Sequence, residues 1–421
     1  MRFLNPYIFS LLVIVLTISS CSSDNDCDTV CPAGTFQLLD CTCIDELDPN
    51  DSIESIDIQG EISSDETWTT GNIYILNDRV TVVDGATLTI EPGVIVKGLG
   101  GTGADASALV IARGSQINAI GTVDNPIVFT STADGIEPGE NVGTLNPDIN
   151  GLWGGLIVLG SAPISASNDS GDVSEVQIDG IPTSDPNGLY GGDDPDDSSG
   201  VISYVSIRHG GTNIGEGNEI NGLTLGGVGA GTTIEFVEVL GNQDDGIEIF
   251  GGTVSITNAL VWNCGDDSMD TDQAWNGTVD NFIILTPTGG SAFELDGPEG
   301  SLSQGPGQFT NGTVFAGSNI DHLADWDDST NCGIQNIYFF GIEADYDASA
   351  GFETWGGDGT GVSGAFQFSA EAGFDSETLV GAAPMGEVTE VETLMNAVGA
   401  DVSVFGWTVA AQSGTLATLG L

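Results

Sequence analysis

Basic side chains are almost missing from this chain: five Lys and Arg stand against 62 Asp and Glu, with two His, for a formal charge of −57 over 421 residues. Beyond Arg2 the only cations are Arg79, Lys97, Arg113 and Arg208. A phosphate backbone needs a basic patch, so nucleic acid is excluded as a partner. Polyanionic substrates are disfavoured too, unless divalent cations bridge carboxylate to carboxylate. Also missing after residue 20 is any long amphipathic helical pattern, which removes the crossovers that a doubly wound sheet needs. What remains is 62 glycines among short β-branched runs, an all-β composition.

The start of the chain carries one basic residue, Arg2, then the apolar run from Leu11 to Thr17, then Ile18-Ser19-Ser20-Cys21 and the acidic Ser22-Ser23-Asp24-Asn25-Asp26. Asn5 and Pro6 interrupt the apolar stretch early and serines close it, so it is too short for a membrane span and reads as a cleaved signal over residues 1–20. Small residues before a cysteine at the cleavage point resemble the lipobox of bacterial lipoproteins. The resemblance implies lipid on Cys21, and the acidic run after it resembles the export signal of Bacteroidota lipoproteins. Together they imply an outer-membrane protein, lipid-anchored and facing the cell exterior.

Cys27, Cys31, Cys41 and Cys43 crowd into the segment that follows. In an oxidising compartment two disulfides are expected in preference to a zinc site, with three connectivities open. Residues 21–45 therefore read as a small disulfide-rich spacer. Cys264 and Cys332 remain, and a pairing of these two across the body is expected. Residues 46–55 form an acidic linker without apolar periodicity.

Residues 56–421 carry a repeat. Residues 233–249 lie on 255–271 without a gap: Ile234 falls on Ile256, Val239 on Val261, Asp244-Asp245 on Asp266-Asp267, and Ile247 on Met269. The runs Phe282 to Leu285 and Phe293 to Leu295 continue it, and Ile202 to Ile207 with Leu223 to Leu225 precede it. A period in the low twenties, with two or three short strands per unit and glycine-rich corners, predicts a right-handed parallel β-helix. A polar helical cap is expected within 388–398, where the one helix-like pattern of the body falls.

Several longer strings, among them Thr87 to Gly98, Trp153 to Gly160, Tyr204 to Gly211, Asp244 to Gly252 and Gly265 to Gly277, look like a family of bacterial β-helix lipoproteins of unassigned function. The resemblance covers about residues 56 to 421 and implies the β-helix fold.

Alternation along the strands points Ile247, Ile249, Met269, Thr271, Phe293 and Leu295 inward, so Glu248, Asp270, Asp272, Glu294 and Asp296 point out. Glu248, Asp270 and Glu294 then stack coil on coil, with Asp244, Asp245, Asp266 and Asp267 at the adjoining corner. Like charges on adjacent strands repel, so the ladder needs a bound cation, raised pKa values or a wet, open face. Ca2+ is the natural ligand for such a set; a merely solvated acidic face is the plainer alternative. Trp275 and Trp326, flanked by polar residues, are the expected glycan platforms.

The function expected is non-catalytic: binding of a surface glycan, adhesion, or service as an accessory of an outer-membrane complex, stabilised by calcium. The alternative is a polysaccharide hydrolase or lyase working on the Asp270, Asp272, Glu294 face, since two carboxylates are enough for glycoside hydrolysis.

Overall fold

The computed structural model describes residues 53–179, 181–213, 220–286, 289–327, 329–353, 365–382 and 388–421, and the backbone of two strands before them. Those two, Thr35–Gln37 and Cys43–Asp45, pair antiparallel within a first unit that ends at Ser52. The side chains of Cys27, Cys31, Cys41 and Cys43, and Cys21, where lipid is expected, lie outside the described residues. The second unit, Ile53–Leu421, is a right-handed parallel β-helix.

Its strands stack in register through three columns. The first contains 205–208, 237–240, 259–262, 282–285 and 312–315; the second contains Leu223–Gly226, Ile247–Phe250, Met269–Asp272 and Phe293–Leu295; the third contains 200–203, 233–235 and 256–257. The pairing Ile234 with Ile256 and Ile247 with Met269 is the one that the repeat predicts. Inward residues of all three columns form one interior, in which Ile207, Val239, Val261 and Ile284 follow one another and Leu225, Ile249 and Leu295 face them. Each such aliphatic contributes about 1.5–3 kcal/mol through removal from water.

From Gly200–Arg208 onward the third column passes into the first through a bend that takes a single left-handed residue in each coil. That residue is Tyr204, Phe236, Asn258, Asn281, Asn311 and Asn336 in turn, with φ between 51 and 60°. Asparagine tolerates this conformation better than other side-chain-bearing residues. Stacking then lets the amides bond one another: Asn281 Nδ2 donates to Asn258 Oδ1 at 2.6 Å and Asn336 Nδ2 to Asn311 Oδ1 at 3.3 Å. In the two coils without asparagine the rings of Tyr204 and Phe236 stack at 4.3 Å.

Two excursions cover the outside. Between Leu159 and Gly200 the chain leaves the coil and forms two small hairpins, Ala166–Asn168 with Gly171–Val173 and Val176–Gln177 with Leu189–Tyr190. Ile164, Ile178, Ile181 and Tyr190 from this excursion pack on outward residues of the second column, including Ile157, Leu159 and Phe250. At the other end of the chain, Phe405, Val409, Ala410 and Leu416 pack on Leu240, Leu260, Trp262 and Ile283, the outward residues of the first column.

Two expectations are overturned. Residues 388–390 are not helical: Val388–Glu390 pairs parallel with Phe366–Ala370 as a further rung, and the α-helices among the described residues are Ser376–Ala382, Val409–Gln412 and Thr415–Leu419. The last two of these lie along the side of the coils, where an apolar stripe needed covering. Cys264 and Cys332 do not pair; both are free and buried. Cys264 follows the strand Ser255–Trp262 and Cys332 opens Cys332–Ile342, three coils on. Three coil spacings make about 14 Å, whereas a disulfide needs Cα atoms within about 7 Å.

Two measurements check these points. Asn281→Ala is expected to lower stability by about 2 kcal/mol, from the left-handed backbone and the lost amide bonds, while Asn281→Gly recovers the backbone part; thermal melts of both variants decide it. Burial pushes the Cys332 thiol up to about 12 and raises that of Cys264 as well, so Ellman's reagent is expected to react with neither until the chain is unfolded.

Candidate cation-binding cleft

The outward positions of the second column carry Thr224, Glu248, Asp270, Glu294 and Asp325 in successive coils, each pairing with the next in strand register. The ladder of Glu248, Asp270 and Glu294 is therefore present as the alternation predicts. Of the three ways to relieve such a ladder, a wet, open face is not the one found. The hairpin excursion packs on part of the column, and within the column Asp270 is only 8% exposed and Asp245 at the corner 7%. Hydrogen bonds hold the excursion there: Tyr190 Oη donates to Gln273 Oε1 at 3.1 Å, Gln273 Nε2 to Glu299 Oε2 at 3.2 Å, and Ser301 N to Asp172 Oδ1 at 3.1 Å.

The corner before the ladder supplies further carboxylates, each with a different duty. Asp245 Oδ1 accepts the Asp267 amide at 2.9 Å, and Asp267 Oδ1 accepts the Ser291 amide at 2.8 Å, so these two tie one coil to the next. Asn242, one corner earlier, donates Nδ2 to the carbonyls of Asp245 and Ile220 and shapes the turn. Carboxylate oxygens of Asp245, Glu248 and Asp270 come within 4.8 Å of one another, as do those of Asp244, Asp245 and Asp266. Asn221 Nδ2 donates to Glu248 Oε2 from the preceding coil. Asp270 Oδ1 and Asn221 Oδ1 are buried with no hydrogen-bond partner.

Asn221, Asp244, Asp245, Glu248 and Asp266 bound a cleft of about 280 Å³ whose other walls are Ile157, Ile178, Asp179, Ile220, Thr224 and Phe250, and Asp270 adjoins Asp245 and Glu248 without lining it. Of the acids expected to bind metal, Glu248, Asp266 and Asp270 belong to the convergent sets. Asp267, Asp272, Glu294 and Asp296 lie beside them and belong to neither set. Asp244 and Asp245, read from the sequence as corner carboxylates, join the convergent sets, whereas Asn221 and Asp179 of the lining carry no repeat signal. Trp275 and Trp326 are not glycan platforms. They are 3% and 4% exposed and belong to the interior, where Trp275 Nε1 donates to the Val254 carbonyl at 2.8 Å.

Burial, reinforced by neighbouring carboxylates, raises Asp245, Glu248 and Asp270 well above the usual carboxylate range. The same causes push Asp272 up to about 7, Glu294 to about 8 and Asp296 to about 6. None of the four cations beyond Arg2 lines the cleft to offset them. Arg79 pairs with Asp185 at 3.0 Å and Arg113 with Glu175 at 2.9 Å. Lys97 Nζ donates to the carbonyls of Asp134 and Ile136. Arg208 is buried, giving Nε to Ser206 Oγ and Nη2 to the Asn141 carbonyl.

A family model described as a pectate-lyase-like β-helix domain matches residues 60–324. The chain belongs to that family. Among curated proteins and among solved structures nothing matches it. Membership in the pectate-lyase-like β-helix family is compatible with binding or degrading glycan. It places the matched span over the whole acidic cleft, from Asn221 to Asp270.

A group whose folded pKa is raised keeps its proton to higher pH than it does in the unfolded chain, so the folded state gains from low pH and loses as pH rises through the folded value. With a chelator present, the melting temperature is expected to fall as pH goes from about 5 to about 8, the window set by the unfolded carboxylates and by Asp272 and Glu294. Glu294→Gln is expected to flatten that fall.

Proposed function

We propose that this protein is a lipid-anchored β-helix displayed on the outer membrane, that it binds glycan without breaking it, and that Asp245, Glu248 and Asp270 hold a Ca2+ ion in its acidic cleft. The observation that carries the reading is the convergence of three carboxylates around a buried, unpartnered Asp270 Oδ1. Two ligands of one Ca2+, each at about 2.3–2.6 Å, lie at most about 5 Å apart, which matches the oxygen spacing here. Ca2+ supplies the positive charge that no side chain of the lining provides. The lipid anchor rests on Cys21 and the small residues before it, and the exterior location on the acidic run after it. A surface glycan is the partner proposed first and an outer-membrane protein second.

Base-catalysed elimination finds no support in the cleft, whose lining contains no Lys, Arg or His. Hydrolysis is the second reading, favoured by one observation: Glu294, pushed up to about 8, keeps its proton at neutral pH as a general acid must. Release of reducing ends from a polysaccharide, lost in Glu294→Gln, would establish it.

The test of the first reading is thermal. At a free Ca2+ concentration a hundredfold above its dissociation constant, the ion stabilises the folded chain by about 2.7 kcal/mol. The protein is expected to melt several degrees higher in Ca2+ than in chelator at pH 8, and Asp270→Asn is expected to abolish the difference. Equal melting temperatures in the two conditions refute the cation site.

A further inference from the structure

Resting on the cation reading above, we infer that the cleft takes a neutral saccharide, bound through vicinal hydroxyls on the cation, and rejects uronate polymers. The donor inventory decides the class of ligand. Asp179, Asp244, Asp245, Asp266 and Glu248 line the cleft and, when ionised, only accept hydrogen bonds; against these five acids the side-chain donors of the lining are the Thr224 hydroxyl and the Asn221 amide, which is given to Glu248. Asn221 presents a buried Oδ1 without a partner, a further acceptor. A ligand that satisfies these walls must arrive rich in donors. Sugar hydroxyls donate, whereas a uronate carboxylate brings only more acceptors.

Charge points the same way. One divalent cation offsets two of the negative charges gathered at Asp244, Asp245, Asp266, Glu248 and Asp270, and none of the four cations of the body lines the cleft. A polyuronate would enter a site of its own sign. A neutral ring meets no such repulsion.

Coordination leaves room for it. Ca2+ takes six to eight oxygens, and Asp245, Glu248 and Asp270 supply three when each binds through one. The remaining positions suit two adjacent hydroxyls together with water. The C–H face of the ring then meets Ile157, Ile178, Ile220 and Phe250, while its further hydroxyls donate to the lining carboxylates that the cation leaves free, Asp244 and Asp266. At about 280 Å³ the cleft lies near the small end of ligand sites, so a terminal sugar unit is the part recognised.

Calorimetric titration of the full chain with oligosaccharides from mannan, galactan and xylan, and separately with oligogalacturonate, in Ca2+ and in chelator, tests this. At least one neutral series is expected to bind in Ca2+ and to lose binding in chelator, with oligogalacturonate binding at least tenfold more weakly. Ile178→Ala, which removes part of the apolar wall and no carboxylate, is expected to weaken the neutral sugar severalfold, while the Ca2+ shift in melting temperature, measured on the same sample, is retained. Oligogalacturonate binding as tightly as the neutral sugar overturns the inference, and so does neutral binding that persists in chelator. Binding of no neutral series by a chain that shows the Ca2+ shift also overturns it and leaves the cation site standing; loss of the Ca2+ shift itself would refute the earlier reading instead.

Discussion

Everything in this β-helix follows from parallel strands that stack in register about 4.8 Å apart, because stacking sets each side chain over its counterpart in the next coil. For apolar residues this is favourable on every rung, as the run Ile207, Val239, Val261, Ile284 shows. It is favourable also for amides, which both donate and accept, and so the bend that requires a left-handed residue can be filled by Asn258, Asn281, Asn311 and Asn336 in succession. For carboxylates it is unfavourable without a partner. Glu248, Asp270 and Glu294 stand in the one kind of column that stacking penalises.

A penalty of this kind is relieved by solvent, by protons or by a cation. Solvent is restricted here: Asp245 and Asp270 are buried, and Ile178 and Asp179 of the hairpin excursion wall the cleft beside Asp245 and Glu248. Protons are the relief within the chain itself, and the raised carboxyls record it. A hard cation would relieve the same repulsion and also satisfy Asp270 Oδ1, which a single shared proton between Glu248 and Asp270 does not reach. The excursion thus turns a weakly perturbed surface ladder into a site, because screening by water would otherwise have left the repulsion small.

Sequence periodicity made the register legible, since Ile234 over Ile256 and Glu248 over Asp270 need only the repeat and the alternation of strand side chains. The burial of Trp326 was legible by the same rule, for it lies in register with inward Leu295, yet its polar neighbours suggested exposure. Trp275 was not legible. Gln273 and Ala274 both take left-handed backbone, which breaks the alternation and turns the indole into the interior. The roof over the acids was also hidden, because an excursion outside the repeat has no register to follow. Ile164, Ile178, Ile181 and Tyr190, apolar within a Gly- and Asp-rich stretch, were the trace it left.

The two excursions show how a solenoid acquires individuality. Inside, each coil does the same work and the geometry leaves little choice. Outside, the first column carries Leu240, Leu260, Trp262 and Ile283, an apolar stripe that the C-terminal segment covers, and the contact is closed by Ser206 Oγ and the Ala410 amide donating to the fully buried Glu238. That charge sits beside Arg208 and is enclosed on all sides, so the C-terminal segment acts as a strap. The hairpin excursion on the second column is closed differently. Its apolar residues reach only part of the column, and the acids beyond them border a cavity instead of a packed contact. A cover that seals gives stability; a cover that stops short of the carboxylates leaves concave, polar space held by rigid strands, and that is where ligand chemistry is concentrated in this protein.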